Sequence, residues 1–123
     1  MYEQLLAHLV GDYVLQSHNM AINKTKSNWW AVYHGIMYSL PFIFIASPNA
    51  LFVIAFTHVV IDRLRLAVYV TKAKNYLFGG FNPQSLEEIY PQGTPEYISF
   101  WLLILADQTM HLLINYFSIL YLK

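Results

Sequence analysis

The chain contains no cysteine and little charge, and each deficit excludes a class of protein. Without cysteine there is no disulfide framework and no thiolate metal or redox site. Only 11% of the 123 residues are charged and 57% are hydrophobic, whereas an ordinary soluble domain is about 25% charged. Seven basic residues balance seven acidic ones, so the sequence lacks the net positive charge that would indicate nucleic acid as a partner. We therefore expect one domain with a surface too apolar for water, as in a small membrane protein whose partner is the lipid bilayer.

Four apolar segments dominate the sequence and predict its fold class. The predicted helices cover residues of about 3–22, 29–47, 50–70 and 97–122. At 1.5 Å per residue, the last three are long enough for a hydrocarbon core of about 30 Å. The first is interrupted by polar residues and qualifies as a span if the other three cover its polar face. We predict an all-α polytopic membrane protein, a four-helix transmembrane bundle in which residues 1–123 form one domain and 71–96 form a cytoplasmic loop between helices three and four.

The basic residues indicate the orientation of this predicted bundle. Six of the seven lie in or beside the links after the first and third helices, and only Lys123 lies on the opposite side. By the positive-inside rule, both links face the cytoplasm and both termini are on the non-cytoplasmic side. Four short spans make a thin bundle, so we also expect a homo-oligomer.

Histidine and aspartate recur one helical turn apart in three of the four predicted helices. The pairs are His8 with Asp12, His58 with Asp62, and Asp107 with His111. Residues four apart share a helix face, so each pair forms a short polar stripe. An aspartate in a bilayer costs about 2.5–3.5 kcal/mol on insertion scales, and such groups are tolerated when they face the bundle interior and meet partners. Three stripes in one small bundle therefore predict a shared polar site.

A divalent metal ion, with zinc as the predicted element, is the partner that such a site favours. It neutralises carboxylates and accepts neutral imidazole nitrogen as a ligand. The predicted metal ligands are His8, His58, Asp62 and His111. The predicted catalytic carboxylates, one of which can instead be the remaining ligand, are Asp12 and Asp107. The side chains predicted to orient the site or to contact substrate are Gln16, His34, Arg65 and Gln108. One ion or two would fit this number of candidates, and a proton pathway or a purely structural hydrogen-bond network stays open as an alternative.

Four stretches occur in the order "AHLVGDYVLQ", "NKTKSNWWAVYHG", "THVVIDRLRL" and "ADQTMHLLI". They resemble the motifs of a small family of bacterial and phage membrane proteins, the domain of unknown function 3307. The resemblance covers the chain apart from residues 75–96, with Arg65 where the family usually has lysine. It implies a multi-pass location in the bacterial inner membrane but no activity. More distantly, the His/Asp arrangement is similar to that of the YdjM-type inner-membrane metal-dependent hydrolases.

These patterns lead to one preferred function and two alternatives. We predict a metal-dependent integral-membrane hydrolase that acts on a lipid or amphiphile, and Arg65 near the site would suit a phosphorylated head group. The first alternative is a proton or ion pathway, or a small-solute transporter, that uses the His/Asp stripe as a relay. The second is an accessory protein that binds another membrane protein.

Overall fold

The structure is a computed structural model that describes residues 2–85 and 87–123. These residues form six α-helices and no strand, so the all-α class predicted from the sequence is confirmed. The helices are α1 (Tyr2–Leu9), α2 (His18–Asn23), α3 (Asn28–Ser39), α4 (Pro48–Leu64), α5 (Leu66–Gly79) and α6 (Glu96–Tyr121). A π-helical turn, Val10–Val14, continues α1, and a 3-10 helix, Leu40–Phe44, continues α3.

Two of the helices predicted from the sequence are divided. Arg65 adopts the left-handed conformation, with φ 52° and ψ 46°, and so ends α4 and precedes α5. Leu66–Gly79 is therefore helical, although residues 71–79 had been predicted as loop; α5 ends at Gly80, whose positive φ is a common helix terminus. The predicted first helix is divided between the π-helical turn and α2, where the Ser17 hydroxyl accepts a hydrogen bond from the Met20 amide. A left-handed arginine is too uncommon to predict from the residue type.

Two glycines allow the close helix packing that builds the interior. A Cβ on Gly11 would lie 2.7 Å from the Tyr38 ring and carbonyl oxygen, and one on Gly35 would overlap the Val59 side chain. The π-helical turn therefore lies directly against α3, and α3 lies directly against α4. Because Gly11 precedes Asp12 and Gly35 follows His34, the same close packing brings these two polar side chains together.

Polar side chains occupy much of the interior, whereas large apolar side chains cover much of the outside. His34 and His58 are almost completely buried, but Phe44 is 89% exposed and Phe52 is 69% exposed. Among the described residues, one helix, α6, is long and apolar enough to cross a membrane. The sequence had predicted four such spans; the interruptions at the π-helical turn, the 3-10 helix and Arg65 leave the other helices at 17 residues or fewer.

Candidate metal centre

Five buried side chains from four parts of the chain meet at one point between the helices. Each is at most 5% exposed, and we call this group the His/Asp cluster. Its members are Asp12 in the π-helical turn, His34 in α3, His58 and Asp62 in α4, and His111 in α6. The structure thus joins one residue from the first predicted pair, both residues of the second pair, one from the third pair, and His34 of the second predicted helix.

The π-helical turn gives Asp12 its place in the cluster. Single π turns insert extra residues into a helix and occur frequently at functional sites. Here the turn spans Val10–Val14 and has Asp12 at its centre, with Gly11 against Tyr38. Asp12 Oδ1 lies 3.3 Å from His34 Nε2 and 3.5 Å from His58 Nε2. Its side chain therefore lies between α3 and α4 as well as near its own helix.

The distances within the cluster match those between the ligands of one metal ion. The Nε2 atoms of His34 and His58 are 2.9 Å apart. Asp62 Oδ2 lies 3.4 Å from His34 Nε2 and 3.3 Å from His58 Nε2. Ligand atoms about 2.0–2.1 Å from a tetrahedral zinc ion lie about 3.3 Å from one another. Asp12, His34 and His58 therefore form one group that could hold a metal ion.

The second oxygen of Asp62 faces another imidazole. Asp62 Oδ1 lies 3.4 Å from His111 Nε2, and Asp107 Oδ2 lies 3.7 Å from the same nitrogen. His58, Asp62 and His111 form a second group with metal-ligand spacing, which overlaps the first at His58. Asp62 is thus in contact with three imidazole rings.

The cluster contains more buried acceptors than the surrounding protein satisfies. Within the described part of the chain, Asp12 Oδ1 accepts no hydrogen bond. Asp62 Oδ2 has an ion-pair partner, because Lys24 Nζ lies 2.7 Å from it, and the same ammonium group lies 3.4 Å from His34 Nε2. A buried carboxylate without adequate partners is costly. The chemistry of these donor atoms, imidazole nitrogen and carboxylate oxygen, fits a divalent ion such as zinc.

His8 lies beside the cluster, but both of its ring nitrogens are engaged elsewhere. Its Nε2 lies 2.6 Å from Gln108 Oε1, and its Nδ1 lies 2.7 Å from the Tyr38 hydroxyl. Two other contacts fix the orientation of the Gln108 amide. The amide nitrogen, Gln108 Nε2, donates to Asp12 Oδ2 at 3.3 Å and to Asp107 Oδ2 at 3.5 Å. A carbonyl oxygen only accepts, so His8 Nε2 must carry a proton. That nitrogen is therefore a hydrogen-bond donor in this arrangement.

Tyr38 is a site residue that the sequence reasoning missed. Its hydroxyl lies between His8 Nδ1 and Asn115, whose Nδ2 donates to it at 2.6 Å. Its ring stacks on His58, with the centroids 3.6 Å apart and the planes 13° apart. Tyr38 therefore fixes two imidazole rings at once. The sequence feature that could have identified Tyr38 is its position four residues after His34, which places both side chains on the same helix face.

Lys24 was also missed, because its place in a basic link favoured a topological explanation. The structure instead brings its ammonium group to Asp62. The neighbouring Arg63 is held elsewhere, since its guanidinium donates to Asn28 Oδ1 at 2.6 Å and to the Thr25 carbonyl at 2.8 Å. Arg63 thereby fixes the link that carries Lys24 against α4.

The other predicted site residues fall into two classes. Arg65, Asp107 and Gln108 line a cavity of about 450 Å³ beside the cluster, together with Lys24 and Asp62. Gln16 lies past the end of the π-helical turn, and its Oε1 is buried without a hydrogen-bond partner among the described residues. Gln16 lies one turn after Asp12 in the sequence, but the helix is interrupted between Gln16 and α2.

A larger cavity, of about 930 Å³, lies between residues 87–94 and the start of α6. None of the described residues that line it belongs to the His/Asp cluster. Of these two cavities, the smaller one is lined by a residue of the cluster, Asp62.

A comparison with family models gives one match. The family described as "Protein of unknown function (DUF3307)" matches residues 1–121. Among curated proteins and among solved structures, none matches this chain. The family inferred from the four ordered motifs is confirmed, whereas the likeness to YdjM-type hydrolases stays a prediction.

Proposed function

The chain belongs to the DUF3307 family, and we propose that it is a metal-dependent hydrolase that acts on a lipid or amphiphile within a membrane. The observation that carries this proposal is the spacing inside the His/Asp cluster. The two imidazole nitrogens, from His34 and His58, lie 2.9 Å apart, and each lies 3.3–3.5 Å from one oxygen of Asp12 and one of Asp62. Such a convergence of buried acceptors is what a metal site requires and what a packed core avoids.

The ligand set that we propose differs from the sequence prediction at one histidine. His34 takes the place of His8, because His34 Nε2 points into the cluster while His8 Nε2 carries a proton for Gln108. Asp12 joins His58 and Asp62 as a ligand, and His111 approaches Asp62 from the other side. His8 and Tyr38 hold the surrounding side chains in position, as hydrogen-bonding partners of metal sites commonly do.

Asp107 is the side chain best placed to act as a general base. It lies outside the first group of candidate ligands, is 26% exposed, and lines the cavity beside the cluster. A zinc-type ion held there would supply Lewis-acid polarisation of a substrate oxygen. Asp107 would accept the proton of the attacking water as the water oxygen bonds to the carbonyl carbon or the phosphorus of the substrate. It would return that proton to the alcohol oxygen as the ester bond to that oxygen breaks. Gln108 would orient Asp107 through the hydrogen bond between them.

The exposed apolar surface supports a membrane location for this reaction. Phe44, Phe52, Phe100 and Trp101 are each more than half exposed, and α6 meets the length and composition of a span. A soluble protein rarely exposes so many large apolar side chains while burying charged ones. We propose that the helices lie in the bacterial inner membrane as a multi-pass bundle, with interrupted helices tolerated because their polar groups face the interior.

Hydrolysis of two amphiphilic probes tests the proposal. Detergent-purified protein is incubated with para-nitrophenyl dodecanoate and with para-nitrophenyl dodecyl phosphate, before and after removal of metal with a chelator. We expect zinc-dependent release of nitrophenol from at least one probe. Asp107→Asn should keep its metal but lower the rate by about 100-fold, the usual contribution of a general base. Release that is unaffected by both the chelator and Asp107→Asn would contradict the proposal.

A proton pathway is the second candidate, favoured by one observation. A hydrogen-bonded chain runs from Asn115 through Tyr38 and His8 to Gln108 and Asp107. The amide of Gln108 interrupts this chain, because a side-chain amide does not readily gain and lose protons. We therefore rank it below the hydrolase. Proton flux into liposomes that persists after chelation would reverse this order.

A further inference from the structure

The cavity of about 450 Å³ beside the His/Asp cluster has one polar end and one apolar wall. It lies where the end of α4, the start of α5 and the first half of α6 meet. The residues at its polar end are Lys24, Asp62, Arg65, Asp107 and Gln108. Its volume falls in the range of about 300–1,000 Å³ that is typical of small-molecule sites.

Two cations, Lys24 and Arg65, line this cavity. Lys24 Nζ is 2.7 Å from Asp62 Oδ2, so one point of positive charge lies directly at the candidate metal centre. Arg65 lies where α4 ends, in a left-handed conformation that divides α4 from α5. A non-glycine residue in that conformation is strained. The strained corner places an arginine on the wall of the cavity.

The charges around the cavity favour an anion once a divalent ion is bound. Three carboxylates, Asp12, Asp62 and Asp107, exceed the two cations Lys24 and Arg65 by one negative charge. A divalent ion reverses this balance to one net positive charge. Ammonium and guanidinium groups beside a metal ion are a common arrangement for phosphate.

The remaining wall is apolar and suits a hydrocarbon chain. It includes Val68 at the start of α5 and Phe100, Trp101, Leu103 and Ile104 along α6. Phe100 and Trp101 are each 58% exposed, so the wall continues onto the outer surface of α6. A molecule with an anionic head group at the cluster would therefore extend its chain along this wall.

We propose that this cavity binds an amphiphile whose head group is a phosphate, with Lys24 and Arg65 as the phosphate-binding side chains. The inference rests on the metal centre of the proposed function, because the cavity becomes net positive only with the metal bound. It goes beyond that function by naming the substrate class and by assigning a role to Lys24.

Binding of three probes to the zinc-loaded protein in dodecyl maltoside micelles tests this inference. The probes are dioctanoyl phosphatidic acid, dioctanoylglycerol and inorganic phosphate, measured by isothermal titration calorimetry. We expect phosphatidic acid to bind about tenfold or more tightly than either other probe, since it alone supplies both the anion and the chain. The metal-free protein should lose this preference.

Substitutions of Lys24 and Arg65 test whether these two side chains bind the phosphate group. Lys24→Met should weaken the binding of phosphatidic acid about tenfold or more, while Lys24→Arg should retain it. Lys26→Met is the matched control, because Lys26 is exposed and does not line the cavity; its affinity should equal that of the unaltered protein. Arg65→Asn provides a second, independent test, since asparagine tolerates a positive φ, and it should also weaken binding.

Metal content, measured on the same samples, separates the two proposals. If zinc binds but dioctanoylglycerol or inorganic phosphate binds as tightly as phosphatidic acid, this inference is wrong and the metal centre stands. Equal affinity of the Lys24→Met and Lys26→Met proteins would also overturn it. If no divalent ion binds at all, the proposed function itself fails.

Discussion

Tyr38 shows how one side chain can position a whole site. Its ring stacks on His58, and its hydroxyl connects His8 with Asn115. All of these groups are buried, so each hydrogen bond replaces contacts with water. The ring and the hydroxyl of Tyr38 therefore have separable roles, one in packing and one in hydrogen bonding.

Tyr38→Phe should reduce stability without removing the metal. The substitution keeps the stacked ring but leaves His8 Nδ1 and Asn115 Nδ2 without their partner. Such an unsatisfied buried group costs about 1–3 kcal/mol in the free energy of unfolding. Thermal unfolding in detergent measures the loss, and Tyr69→Phe is the control because Tyr69 is exposed. Equal melting temperatures for the two variants would show that the hydroxyl contributes nothing.

His34 and His8 should differ sharply in their effect on metal binding. His34→Ala removes a nitrogen that lies 3.3 Å from Asp12 Oδ1 and 2.9 Å from His58 Nε2, so metal affinity should fall about 100-fold or more. His8→Ala removes a hydrogen-bonding partner of Gln108, and affinity should fall by about tenfold, as for other supporting residues. Competition with a zinc-binding dye measures both. Complete loss of metal in His8→Ala alone would reverse the assignment.

The irregular helical turns help to build the metal site, and they are the part of the fold that was not predicted from the sequence. The i, i+4 spacing of histidine and aspartate correctly indicated that each pair would lie on one helix face. Which helices meet was not encoded in that spacing, so His34 was assigned a supporting role and Lys24 none. The π-helical turn around Asp12 and the left-handed Arg65 arise from tertiary packing, which overrides local propensity.

Gly11→Ala should test the importance of the close contact at the π-helical turn. The added methyl group would lie 2.7 Å from Tyr38, so either the turn or α3 must move. Overpacking of this kind costs about 1–3 kcal/mol, and it should also lower zinc affinity because Asp12 is the next residue. Gly79→Ala is the control, since a Cβ there meets nothing within 4 Å. Equal stability and zinc affinity in the two variants would contradict this role for Gly11.

The molecule as a whole combines an apolar exterior with a polar, charged interior. Composition predicted the apolar exterior, because only 11% of the residues are charged, and the spacing of the His/Asp pairs predicted the polar interior. Composition does not predict how many helices are long enough to cross a membrane, because that number depends on where each helix is interrupted. One such helix, α6, is found among the described residues.

Acid should release the metal from the folded protein. Imidazole binds a metal ion only in its neutral form, so protonation of the imidazole ligands competes with zinc. Because bound zinc holds its imidazole ligands neutral, zinc should be retained in full through neutral pH and should be lost as the pH falls below the ordinary histidine range. Dialysis at a series of pH values followed by metal analysis measures this dependence. Retention that stays constant down to strongly acidic pH would contradict imidazole ligands.

The most direct test of the metal centre is the metal content of detergent-purified protein, determined by mass spectrometry. The unaltered chain should contain about one or two divalent ions per molecule, as the two overlapping ligand groups allow. His58→Ala, which removes the residue common to both groups, should contain almost none, whereas the exposed His18→Ala should match the unaltered protein. Metal at background level in the unaltered chain, or equal content in the two variants, would contradict the account.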